Sequence, residues 1–101
     1  MIAAVDEVFR DVDILLTVSA LEPPCRIEDA EEVARTHSLQ AWMPFNVTGH
    51  PAIAIMAGLS GTGLPLSAQL VGRAFQDAEV LRVAAAHERA TGWHTRHPAG
   101  L

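Results

Sequence analysis

The 101-residue sequence has no lysine; its seven basic side chains are all arginines. A side-chain amine able to lose its proton and serve as a base is therefore missing. Arginine cannot take its place, because a guanidinium stays protonated. There is one cysteine, Cys25, so no disulfide can form within the chain. No apolar run approaches the ~20 residues that span a bilayer. The opening residues carry no basic stretch of the kind that leads a secretory signal. The expectation from these absences is a cytoplasmic chain with no membrane partner. Asn46-Val47-Thr48 has the letters of a glycosylation acceptor, which mean nothing without such a signal. Positive charge is scarce overall: the net charge is -5. A nucleic-acid module would need a clustered basic face, so no nucleic-acid partner is expected.

What is present is the composition of a packed core. Hydrophobic residues make up 50% and charged residues 19%, which excludes a disordered tail. Ile2, Val5, Val8, Phe9 and Val12 recur at spacings of three and four, which predicts an amphipathic helix. Residues 13–18 form a short continuous apolar run, which suggests a strand buried on both faces as in parallel sheets. Pro23-Pro24 opens a loop. Residues 28–36 are polar and acidic and read as a solvated loop or short helix. Glu28, Asp29, Glu31 and Glu32 lack the spaced pattern of a calcium loop. Leu39, Ala41, Trp42, Phe45 and Val47 suit a short helix that Pro44 begins or interrupts.

Residues 52–57 read as a second buried strand, residues 58–63 as a glycine-rich turn and residues 64–71 as a third strand. The short connection predicts an antiparallel hairpin. Leu66, Ala68 and Leu70 should share one face, and Ser67, Gln69 and Val71 the other. Gln69 lies among apolar neighbours, so its amide needs partners. Residues 77–91 form the clearest helix, with Asp77 as its expected N-cap and Gly92 as its stop. Residues 93–101 read as irregular. No repeat or low-complexity segment is visible.

Catalytic constellations are absent. No Gly-x-Ser-x-Gly elbow occurs, and Ser60 stands between Leu59 and Gly61. His87, His94 and His97 are not joined by a cysteine or carboxylate at ligand spacing, so solvent-facing histidines are expected. Gly58, Gly61 and Gly63 are followed by no Gly-Lys-Ser/Thr, so a turn is expected and not a phosphate cradle. Cys25 has no lysine or histidine beside it to activate its thiol. Trp42 and Trp93 read as packing residues.

Four stretches, in order, resemble the C-terminal part of the amidase-signature family. They are residues 9–17 (FRDVDILLT), 44–53 (PFNVTGHPAI), 63–72 (GLPLSAQLVG) and 81–93. Their local chemistry suits a passage from helix to strand. Asn46 and Thr48 can bond backbone groups where a helix ends. Gly49 can take a positive φ, and Pro51 keeps His50 extended. There are departures. Thr17-Val18 stands where the family often has Thr-Pro, Ile55-Met56-Ala57-Gly58 where it often has Val-Pro-Ala-Gly, and Ser67 where a glycine is common.

The resemblance implies an α/β fold: part of an α/β/α sandwich, about three strands with flanking helices, in an incomplete domain. Residues 1–101 would form the C-terminal segment, a third or so, of an enzyme that hydrolyses carbon–nitrogen (amide) bonds. Family members use a Ser nucleophile, a bridging Ser in a cis peptide and a Lys base, within a Gly/Ser-rich signature. This chain has neither the lysine nor a Gly-Gly-Ser-Ser run, so no catalytic residue is assigned and the chain alone should be inactive. No cofactor or metal is implied. The expected partner is the remainder of the amidase domain, or a chain that supplies it, with a small amide substrate only in the complete enzyme. Alternatives are a non-catalytic docking module, a stand-alone binding domain, or a segment of an A-type amidotransferase subunit. The stretch 46–51 and the loop after Thr17 are the candidates to line a pocket, with structural support the commoner role for each. An isolated segment of this kind should show an exposed apolar patch and free strand edges.

Overall fold

The glycine-rich stretch after the second apolar run does fold back on itself. In the computed structural model, which describes residues 1–38 and 40–100, Ser60 N–H donates to Leu64 O at 2.8 Å and Gly63 N–H to Ser60 O at 2.9 Å. The Ser60 hydroxyl accepts from Leu64 N–H at 3.0 Å, so this serine is used up in the turn. Leu39 and Leu101, read above as parts of the short helix and the tail, lie outside the described residues.

The elements are α1 (Ile2–Val8), β1 (Ile14–Val18), α2 (Ala30–His37), α3 (Met43–Thr48), β2 (Ala52–Leu59), β3 (Pro65–Gly72) and α4 (Asp77–Thr91). A 3-10 turn, Trp93–Thr95, follows inside the stretch read as irregular. The sheet order is β1-β3-β2, and both pairings are antiparallel. The hairpin is as expected. The strand of a parallel sheet is not: β1 is an antiparallel edge strand. An apolar run reports that a segment wants covering, and says nothing of strand direction.

Register divides the side chains into two faces. Leu16, Leu70 and Ile53 stand opposite one another on one face; Thr17, Gln69 and Ala54 do so on the other. Helix α4 lies on the first face, where Val80 and Ala84 pack on Leu70 with Ile14, Ile53 and Ile55 around them. It covers β3, β2 and the Ile14 end of β1 and leaves the rest of that face of β1 open, with Leu16 66% and Val18 51% exposed. The segment entering α3 covers the other face over β3, where Gln69 is 2% exposed. On that face Ala52 and Ala54 of β2 stay exposed. Each face is thus partly covered, on opposite sides, and among the described residues both outer strands have a free edge. The radius of gyration is 15.2 Å, against about 13 Å for a compact domain of this size.

Local details refine the sequence reading. Helix α1 stops at Val8, short of Val12, and Phe9 is its C-cap. Asp77 is the first residue of α4; its N-cap is Gln76, whose side chain makes no capping bond. Asp29 does cap α2, accepting from Glu32 N–H at 3.1 Å. Strand β2 runs on through Gly58 to Leu59, with a bulge between Met56 and Gly58. Gly49 has φ 74 and ends α3 as anticipated. Gly72 is required by close approach: a Cβ there would lie 2.5 Å from Val80 Cγ2, in a buried and β-branched side chain that cannot swing aside.

One residue breaks the local rules. Phe75 has φ 64, the only positive φ of a non-glycine residue among the described residues. It is the third residue of a turn closed by Gln76 N–H donating to Arg73 O at 3.0 Å. That position suits Gly or Asn, and a bulky side chain there costs about 1–2 kcal/mol.

Candidate functional site

The two stretches singled out from sequence lie at opposite ends of the sheet. Residues 46–51 lead into β2 beside Gly72, since Ala52 pairs with Val71 and Gly72 N–H donates to Pro51 O at 2.9 Å. The loop after Thr17 leaves β1 at the other end, where Val18 pairs with Ala68. They do not form one site.

At the loop end a cleft of about 940 Å³ opens. Its lining includes Ile55, Leu66 and Ser67 from the strands and Leu21, Cys25 and Ile27 from the loop. Its charge is neutralised locally. Arg35 of α2 forks onto Glu22 of the loop, with Nη1 and Nη2 donating at 2.9 and 2.6 Å, while Nε donates to Glu32 at 3.0 Å. The hydrogen bond from Arg35, and then its charge, hold the Glu22 carboxyl below its usual range. A carboxyl depressed by folding adds stability above its unfolded pKa and loses it as pH falls through the folded value. This tie therefore holds at neutral pH and releases only in acid; being exposed, it is also screened by salt. The Cys25 thiol has Thr36 Oγ1 as its neighbour, at 3.7 Å, and no base. The cleft can seat an apolar group. It holds no nucleophile–base pair among the described residues.

At the other end sits an arrangement the sequence did not announce. His50 Nε2 lies 3.2 Å from Asp6 Oδ1, and Nδ1 lies 2.9 Å from Thr48 Oγ1. A neutral ring satisfies both when Nε2–H donates to Asp6 and the Thr48 hydroxyl donates to Nδ1. Hydroxyl, imidazole and carboxylate then stand in the order of a hydrolytic triad. The ring and the hydroxyl lie largely inside the fold, while Asp6 is open to solvent. The His50 side chain is 1% exposed, Phe9 stacks on it at 5.5 Å, and Thr48 is buried. The relay is a clasp that fastens α1 to the start of β2. Thr48 and His50 were visible within one motif; Asp6, 44 residues away, carried no signal.

The remaining candidates resolve simply. Gln69 finds the partners it needs: its Nε2 donates to Val18 O and to Ala41 O, both at 3.0 Å. Asn46 is exposed and makes no side-chain hydrogen bond among the described residues. His94 and His97 are exposed, as anticipated. His87 is not simply solvent-facing: its Nε2–H donates to Met56 O at 2.9 Å, tying α4 to the bulge. No group of three potential metal ligands occurs among the described residues. No described helix is long and apolar enough to cross a membrane. Trp42 meets His37 edge-on at 6.4 Å, and Arg96 lies 4.8 Å over Trp93, so both indoles serve packing.

Known proteins share this pattern. The family described as Amidase matches residues 1–81. The A-type subunit of glutamyl-tRNA(Gln) amidotransferase from Chloroflexus aggregans is 39% identical over 95 residues, covering 92% of this chain and 19% of its own length. AmiD of Mycobacterium bovis, which carries the name of an amidase, is 38% identical over 96 residues, covering 90% of this chain and 20% of its own. The crystal structure of the corresponding glutamyl-tRNA(Gln) amidotransferase subunit from Thermotoga maritima superposes with a TM-score of 0.77 at 29% identity, over 87% of this chain and 20% of that one. The chain spans about a fifth of the length of these relatives, less than the third anticipated from its sequence. With the family's profile running through residues 1–81 and a relative's structure superposing over 87% of its length, the chain belongs to the amidase family.

Proposed function

We propose that this chain is the C-terminal segment of an amidase-signature enzyme acting on carbon–nitrogen bonds, and that it supplies scaffold and not the bond-breaking groups. The observation that carries the reading is the missing lysine, in a chain whose Thr48–His50–Asp6 relay has its imidazole buried beneath Phe9. Amide hydrolysis needs a nucleophile with a base at hand and donors for the oxyanion, and the cleft beside Leu21 and Ile27 holds no nucleophile–base pair among the described residues. The partly covered sheet faces and free edges support a partner that completes the sheet: the remainder of an amidase domain, on the same chain or another. In that setting a small amide is the substrate. The cleft beside Leu21 and Ile27 then lines the part of the pocket that takes an apolar substituent. The cytoplasm is the compartment that fits such a chain.

A second reading, a segment of an A-type amidotransferase subunit, is favoured by the names of several relatives. It places the same scaffold in an assembly of several chains. The experiment for the scaffold claim is a chimera. These 101 residues replace their counterpart in the Thermotoga maritima protein, and ammonia release is followed. Turnover within tenfold of the parent is expected, a loss of about 1.4 kcal/mol or less. A folded chimera with no turnover would contradict the claim.

A further inference from the structure

The strained, exposed Phe75 points to a specific contact, an inference that rests on the reading of this chain as one segment of a larger amidase domain. We propose that Phe75 is the docking anchor of the segment, its ring seated in an apolar pocket on the rest of that domain. The ring is 94% exposed, and its backbone is left-handed at φ 64. Nothing local rewards a phenylalanine there: glycine or asparagine would relieve the backbone and spare water a large apolar surface. The residue makes sense when the ring is buried against something else.

Its mount is rigid. Arg73 Nη2 donates to Val12 O at 3.2 Å and lies 3.1 Å from Asp13 Oδ1, which pins the turn to the entry of β1. Gln76 O accepts from Glu79 and Val80 N–H at 3.1 and 3.3 Å, which pins it to α4. The close approach of Gly72 to Val80 fixes the angle between β3 and that helix. An aromatic side chain on a braced turn loses little entropy on docking, which is the usual make-up of an interface anchor. The occupant follows from length: the chain accounts for only 19–20% of each relative, and both sheet edges and part of each face await the rest.

The test compares the 101-residue chain with the same residues placed in the Thermotoga maritima protein. Hydroxyl-radical labelling of Phe75 is expected to fall several-fold from the free chain to the chimera. Phe75→Asn, which suits the left-handed position, is expected to raise the melting midpoint of the free chain by a few degrees and to lower that of the chimera. Equal labelling in both, or a Phe75→Asn chimera as stable as its parent, overturns the proposal. Protection in the free chain that grows with its concentration assigns the ring to a second copy and also overturns it. A parent chimera that does not fold contradicts the segment reading itself and takes this proposal with it.

Discussion

Gln69→Leu is expected to remove about 2–4 kcal/mol of stability and to abolish the cooperative urea transition of the free chain. The amide of Gln69 is 2% exposed and bonds two backbone carbonyls, Val18 O and Ala41 O, each at 3.0 Å. One belongs to the edge strand β1 and the other to the segment that covers the sheet, so this side chain joins two layers. Leucine matches its bulk but takes the Gln69 donor from both carbonyls, leaving Val18 O with the Thr17 hydroxyl at 3.1 Å. The penalty for stranding a buried polar group is larger than the net gain of an ordinary hydrogen bond. A chain this small has little stability to lose, because burial and ordering entropy nearly cancel. Ser67→Leu is the control: it lies on the same face two residues away but is exposed, so a change within about 0.5 kcal/mol is expected. Equal urea midpoints for the Gln69→Leu and Ser67→Leu variants would refute the role given to Gln69.

His50→Ala is expected to release α1 while leaving the sheet intact. Helix α1 has seven residues and none is buried. A helix that short is unstable by itself in water. Its anchorage is Phe9 stacked on His50 and Asp6 bonded to the same ring. Alanine removes the stacking surface, the Asp6 bond and the Thr48 bond together, at about 2–4 kcal/mol. Amide hydrogen exchange is the measurement. Protection across residues 2–8 should vanish, while Leu70 and Val71 keep theirs. Uniform loss across all elements would mean that the clasp supports the whole fold; retained protection in α1 would mean that it supports nothing.

Much of the architecture was legible from the residues. The hairpin was, because a short glycine-rich connection over 58–63 joins two strand-like runs, and α4 was, because its helix formers end at Gly92. The need of Gln69 for partners was legible, though their identity was not. What escaped has common causes. The antiparallel setting of β1 escaped because Ile14, Leu15 and Leu16 signal burial without direction. The clasp of His50 on Asp6 escaped because contacts across 44 residues leave no local pattern. His87 looked like a solvated histidine because the bulge that exposes the Met56 carbonyl cannot be seen in the letters. Phe75 escaped because its composition gave no turn signal: Arg-Ala-Phe-Gln contains none of the residues that usually mark a left-handed position.

The partly covered faces also explain why function was hard to read from the site and easier from what the site lacks. The cleft beside Leu21 and Ile27 is lined mainly by apolar residues, suited to contact more than to reaction. The most direct measurement is ammonia release from simple aliphatic and aromatic amides by the pure 101-residue chain. No turnover above the uncatalysed rate is expected, with wild-type chain and a Ser60→Ala, Ser67→Ala, Thr48→Val variant indistinguishable. Turnover by the pure chain that disappears when one of its own hydroxyls or histidines is replaced would contradict the claim that these residues are scaffold.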